Sequence, residues 1–199
     1  VMTSSDLTQL TGANLFFKSE NFQKGGACKD RGATNAVLSL TNDEAKQGVA
    51  THSSGNHAAA LALAARKRGI PCHVVMPESA PLPKVEAVRH YGAEITFCES
   101  TLKSREDTLN KIIEKTRAVV VHPYDNFRVI CGQGTAAKEL LEDTTPIDCL
   151  FVPVGGGGLL SGSSISAKAM NPGIKVYGCE PLNADDACRS LKSGVLQPP

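Results

Sequence analysis

No stretch of this sequence stays apolar for long. Its apolar segments are strand-sized, as at 118–121 and 149–154, and none approaches the ~18 residues that cross a bilayer. A membrane span is therefore not expected. An excess of either charge is also missing. Lysine and arginine number 21 against 20 aspartates and glutamates, a formal net charge of +1. A basic stripe is absent, which argues against a nucleic-acid partner. The seven cysteines include no CxxC pair, so zinc-ribbon and thioredoxin-type readings fail. Scattered free thiols suit a reducing compartment, and no secretory signal pattern precedes the first strand pattern, so the cytoplasm is the expected location. Internal repeats and low-complexity segments are missing too. The sequence opens at Val1 on polar, helix-starting residues and stops at Gln197-Pro198-Pro199. Both ends are expected to be cut rather than finished.

What is present is a regular alternation. Strand patterns fall at 14–19, 48–51, 72–76, 94–97, 118–121, 149–154 and 175–179. Helical patterns fall at 31–40, 56–68, 83–91, 102–115, 133–141 and 159–170. Strands and helices joined by short connections predict an α/β fold with parallel sheets, and apolar strands predict sheets covered on both faces. The run of four strands from 48 to 123 could form a small sheet of its own, which would make two domains with a cleft between them.

Three strand-to-helix junctions carry the chemistry. Gly155-Gly156-Gly157-Gly158 follows a buried strand and opens a helix at Leu159. Adjacent glycines let backbone N–H groups approach an anion, and the helix start adds its positive dipole end. A phosphate is the natural guest; the alternative is a plain flexible turn. A Walker loop is excluded because Gly162 is followed by Ser163 rather than lysine, and the GxGxxG dinucleotide pattern fails at Leu160 and Ser161. Both failures weigh against a nucleotide-binding module. The second junction is Thr51-His52-Ser53-Ser54-Gly55-Asn56-His57. Its small and amide residues could bind a second anion such as a carboxylate, or could simply cap a helix. The third is Gly25-Gly26-Ala27-Cys28-Lys29-Asp30-Arg31-Gly32-Ala33, read as strand in and helix out. A lysine at a helix N-terminus in an apolar cleft has a lowered pKa and an available lone pair. Taken singly it would be an ordinary surface lysine.

Together, an amine, an anion loop and a phosphate loop form the parts of a pyridoxal-phosphate amino-acid site. Their order resembles the fold-type II pyridoxal-phosphate enzymes (tryptophan synthase β-like), and within them the serine racemase and serine/threonine dehydratase family. The resemblance also covers His122-Pro123, Gly132-Gln133-Gly134-Thr135 and Pro153-Val154-Gly155. It implies two parallel-sheet domains with the cofactor cleft between them. Residues 1–47 and 124–199 would form an incomplete large domain, and 48–123 the small one. Lys29 would hold pyridoxal phosphate covalently, Asn56 would contact its 3′-oxygen, and Gly155, Gly156, Gly157, Gly158 and Leu159 would bind its phosphate. Ser53, Ser54, Gly55, Asn56 and His57 would bind substrate, with no catalytic role for His57. Lys29 and Ser54 would be the two bases, one for each face of the substrate α-carbon.

The segment Glu180-Pro181-Leu182-Asn183-Ala184-Asp185-Asp186 is similar to the family's metal segment. It implies Mg²⁺ or Ca²⁺ on Glu180, the Ala184 carbonyl and Asp186, an all-oxygen set suited to hard cations. Ser4, Ser5, Lys24 and Tyr91 match positions of an ATP effector site, while Asp6, Gly25 and Ala59 depart from it. The resemblance implies racemisation of serine with serine and threonine dehydration, L-serine, D-serine or L-threonine as substrate, and a homodimer. The alternative is a truncated homologue that acts only as a non-catalytic association partner. Two local departures stand out. Ala27-Cys28 replaces the family's Ser-Phe before the lysine, and Tyr124 stands where a ring-contacting asparagine is found.

Overall fold

In the computed structural model, which describes residues 1–198, the chain divides into two compact units. One is Asn21–Gly132. The other joins Val1–Glu20 to Gln133–Pro199. Residues 21–47 and 124–132 thus group with the first sheet instead of with the chain ends.

The unit Asn21–Gly132 is a four-stranded parallel sheet. Its strands are β1 (Val49–His52), β2 (Cys72–Pro77), β3 (Glu94–Cys98) and β4 (Val119–Val120), in the order β3-β2-β1-β4. Alternate residues serve opposite faces, as the two-residue period of a strand requires. Val49, Val74 and Met76 join one buried cluster with Ala33, Val37, Leu61 and Val88. Ala50 and Val75 join a second with Leu109 and Ala118. Helices α2 (Lys29–Leu38), α4 (Asn56–Arg68) and α5 (Leu82–His90) supply the first cluster, and α6 (Leu102–Thr116) the second. Small residues let α2 and α4 pack closely: Ala33, Ala36, Ala58, Ala62 and Ala65 are all buried. Arg68, on the last turn of α4, donates to the carbonyls of Val37 and Leu40 and so closes the C-terminal end of α2.

The second unit is smaller. It begins with α1 (Ser5–Thr11) and contains β5 (Cys149–Pro153), α8 (Gly158–Met170), β6 (Lys175–Cys179) and α9 (Asp186–Ser193). β5 and β6 pair in parallel. Leu150, Val152, Ala167 and Ile174 form its core with Ala137 and Leu140 of α7 (Phe127–Asp143). The other sheet face is open: Phe151 and Tyr177 stack at 5.1 Å and are 66% and 44% exposed.

Most expected elements are present, and the α/β class with parallel sheets is found. Residues 14–19 are not a strand. Only a single antiparallel bridge joins Met2 to Phe17, because no neighbouring strand offers a ladder. Nor does a strand lead into Lys29; two short 3-10 turns do, Glu20–Phe22 and Lys24–Gly26. Helix α7 starts six residues earlier than expected, before its glycines. A Cβ on Gly132 would lie 2.5 Å from the Arg31 carbonyl, and one on Gly134 2.8 Å from the Gly162 carbonyl. These glycines are contact points rather than breaks. Three helices lie outside the expected helical patterns, α1, α3 (Asn42–Gln47) and α9. α3 carries a reciprocal capping box between Thr41 and Glu44, the Thr-x-x-Glu pattern that announces a helix start.

Candidate active site

The strand order of the first sheet locates its functional edge. From β1 the chain moves outward through β2 and β3, then returns to place β4 on β1's other side. The connections therefore part in opposite directions between β1 and β4, and such switch points open a crevice at the strands' carboxyl ends. Two segments leave that edge side by side. One is Ser53–Asn56 after β1, leading into α4. The other is His122–Tyr124 after β4.

Lys29 reaches this edge. It is the first residue of α2, following Gly25 and Gly26, whose positive φ values of 74° and 72° turn the backbone sharply. Its Nζ donates to the Pro123 carbonyl at 2.8 Å. Burial lowers the amine pKa below the ordinary lysine value, and Cys28 partly opposes that shift. The expectation of a desolvated lysine at a helix start thus has a structural counterpart, with burial as the main cause.

The serine loop is held by backbone contacts. The Ser53 N–H donates to the Val75 carbonyl at 3.2 Å, and the Gly55 N–H to Ser53 Oγ at 3.4 Å. Ser53, Ser54 and Gly55 are partly exposed and Asn56 is exposed. His57 is different. It is 3% exposed, with Nε2 2.9 Å from the Val121 carbonyl. Burial pulls its pKa down to about 4. A neutral ring bonded to a carbonyl carries its proton on Nε2, so Nδ1 is a bare acceptor. Nδ1 is buried with no partner among the described residues. His57, expected among the substrate-binding residues, is thus directed at the segment after β4.

That segment is pinned repeatedly. His122 Nδ1 accepts the N–H groups of Asp125 at 2.9 Å and Tyr124 at 3.4 Å. The His122 ring meets Tyr124 edge-on at 4.5 Å and faces His52 at 6.3 Å. Burial lowers the pKa of both His52 and His122. Sequence reasoning quoted His122-Pro123 but gave it no role. Its use as an acceptor lies in a backbone carbonyl, which no residue type announces.

In the other unit, Gly155–Gly158 spans the turn from β5 into α8. Gly157 is the N-cap, with φ 85°, and no side chain caps the helix. A Cβ at Gly155 or Gly157 would meet open space. An uncapped helix start beside uncrowded backbone suits an anion. Each unit by itself thus offers one part suited to pyridoxal phosphate: an amine in the first and an uncapped glycine turn in the second.

The metal segment is less open. Both Glu180 oxygens accept backbone N–H groups of α9, from Ala187 at 3.0 Å and Cys188 at 2.8 Å. Asp185 pairs with Arg189 at 2.8 Å. Among the described residues no three His, Cys, Asp or Glu side chains gather as a metal shell. The expected set has only two such side chains, Glu180 and Asp186, beside the Ala184 carbonyl. Of the expected effector residues, Ser4 caps α1 through the Leu7 N–H, and Lys24 is exposed while Tyr91 packs on the core. No helix is long and apolar enough to cross a membrane among the described residues.

With these features in place, the chain's class is plain: it belongs to the family of pyridoxal-phosphate dependent enzymes, which it matches over residues 1–198. Its similarities point further within that family. It is 51% identical to the serine racemase of Dictyostelium discoideum over 197 residues, covering 99% of this chain and 61% of that protein. It is 53% identical to the β-hydroxyaspartate dehydratase of Paracoccus denitrificans, covering 98% of this chain and 62% of that protein. The crystal structure of serine racemase from Dictyostelium discoideum superposes with a TM-score of 0.96 at 51% identity, over 99% of this chain and 64% of that one. The chain thus spans about three-fifths of the length of the relatives it matches.

Proposed function

We propose that this chain carries the lysine and phosphate-binding parts of an amino-acid racemase that also dehydrates serine and threonine. The observation that best supports this is the partly buried amine of Lys29, held at 2.8 Å from the Pro123 carbonyl at the sheet's switch point. When bound, pyridoxal phosphate withdraws electrons from the substrate α-carbon and makes its proton removable. Lys29 holds the cofactor and, once released by substrate, moves that proton at Nζ on one face. Ser54 Oγ moves it on the other, since racemisation needs a base on each side. Loss of the β-hydroxyl instead of reprotonation leads to pyruvate and ammonia from serine. Asn56 orients the cofactor at its 3′-oxygen, and the backbone of Gly155–Leu159 binds its phosphate. Ser53, Ser54, Gly55 and Asn56 receive the substrate carboxylate. L-serine, D-serine and L-threonine are the substrates that this arrangement suits.

The same reading includes a cytoplasmic homodimer, an ATP effector on Ser4, Ser5, Lys24 and Tyr91, and Mg²⁺ or Ca²⁺ on Glu180, Ala184 and Asp186. Each Glu180 oxygen accepts one N–H of α9 and keeps a second lone pair for a cation, and no step of the proposed reaction runs through the metal. A second reading is a non-catalytic partner of a longer homologue. The exposed Phe151–Tyr177 pair favours it.

A single titration separates the two. The purified chain, titrated with pyridoxal phosphate, gains a visible absorbance band that Lys29→Ala abolishes. A band that survives Lys29→Ala ends the first reading. Ser54→Ala then loses D-serine formation at least tenfold more than pyruvate formation; equal losses remove Ser54 as a dedicated base.

A further inference from the structure

Three contacts converge on five consecutive residues after β4. His57 Nε2 bonds the Val121 carbonyl at 2.9 Å. Lys29 Nζ bonds the Pro123 carbonyl at 2.8 Å. His122 Nδ1, between them, accepts from the N–H groups of Tyr124 and Asp125. The segment is thus tied to the start of α4, to the start of α2 and to itself. Val121 also donates to the Ala50 carbonyl of β1 at 2.9 Å.

We infer that His57 is a positioning residue for the Lys29 amine, acting through the Val121–Pro123 backbone. The carbonyl that Lys29 uses lies two residues beyond the one His57 holds. A rotation of this segment would move the Pro123 oxygen away from Nζ. His57 suits the task because its ring is buried at the first turn of α4 and its donor nitrogen is spent on that one carbonyl. The charged and titratable groups around it are Lys29 on α2, His122 after β4 and His52 on β1. Each opposes a proton on His57, which preserves the neutral Nε2–H form the contact needs. In this arrangement the Pro123 carbonyl would hold the Lys29 amine in place while no cofactor is bound. This inference rests on the proposed role of Lys29, but its test does not require the cofactor.

The test reads Lys29 directly on the cofactor-free chain. The rate of acylation of Lys29 by an amine-reactive reagent is followed by mass spectrometry from pH 7 to 10. In His57→Leu, Lys29 loses a fixed acceptor that favours its charged form while its partial burial is unchanged. Its acylation at pH 8 is expected to rise at least threefold. His57→Gln keeps a side-chain N–H and is expected to restore the wild-type rate. An unchanged or slower rate in His57→Leu overturns the inference even if its melting temperature falls, because that outcome describes a merely structural histidine. Should His57→Leu fail to fold, ¹⁵N NMR of the wild-type imidazole decides. A neutral Nε2–H tautomer between pH 6 and 8 is expected, and an Nδ1–H tautomer overturns the inference. A wild-type chain that acylates as expected yet binds no pyridoxal phosphate would count against the proposed function alone.

Discussion

At the scale of single residues, burial dominates the chemistry around Lys29. It lowers the lysine amine and three nearby histidines, His52, His57 and His122, favouring the uncharged form in each. His57 has a measurable consequence for stability. Its folded pKa of about 4 lies below the ordinary 6.5. Between those values the unfolded chain binds more protons than the folded one. The contribution is therefore fully present above about pH 6.5 and is lost as pH falls towards 4. A shift of that size corresponds to about 3 kcal/mol. Urea unfolding at pH 7 and pH 4.5 should show a larger loss for wild type than for His57→Gln. Equal losses would mean that the ring is not held neutral by the fold.

At the scale of elements, glycine matters where backbones approach. Within α7, Gly132 lies against the backbone of α2 at Arg31 and Gly32. α2 is the helix that carries Lys29. Gly132→Ala would ordinarily favour a helix by up to about 1 kcal/mol. Here a Cβ would stand 2.5 Å from a carbonyl oxygen, and backbone cannot swing aside as a side-chain tip can. The expected net result is a loss of about 1–3 kcal/mol and weaker pyridoxal phosphate binding through the displaced α2. Denaturant titration and cofactor titration of Gly132→Ala check both parts; a stabilised variant would show that the helices have room to part.

At the scale of the molecule, the two units are unequally finished. The four-stranded sheet has buried clusters on both faces. The pair β5 and β6 has a core on one face and exposes Phe151 and Tyr177 on the other. Leu182, Leu191 and Leu196 are 95%, 87% and 90% exposed in the same unit. Apolar surface of this kind promotes association. Phe151→Lys should therefore reduce light scattering at a given concentration and leave the far-UV circular dichroism unchanged. Undiminished scattering would place the sticky surface elsewhere.

Much of the fold was legible from local pattern. Alternation and strand-sized apolar runs determine the α/β class, because burial on two faces demands such strands. The expected helix at 56–68 and strand at 175–179 match α4 and β6 residue for residue, since Gly55 and Gly69 bound the helix and Cys179 ends the apolar alternation before Glu180-Pro181. The placement of Ser54, Asn56 and 155–159 where a strand passes into a helix was also legible, as was that of Lys29 at a helix start. Tertiary structure alone decided the rest. Residues 14–19 carry a strand pattern but found no sheet to join. The helix expected from 133 begins before Gly132, and Gly132 and Gly134 serve as contact points. His57 reads as a substrate-binding residue, yet the strand order that sets β4 beside β1 turns its ring onto the Val121 carbonyl. The Lys29 acceptor belongs to a proline backbone 94 residues away. Strand pairing brought the two together across that separation, and a backbone carbonyl is the same in every residue, so no sequence pattern could have named it.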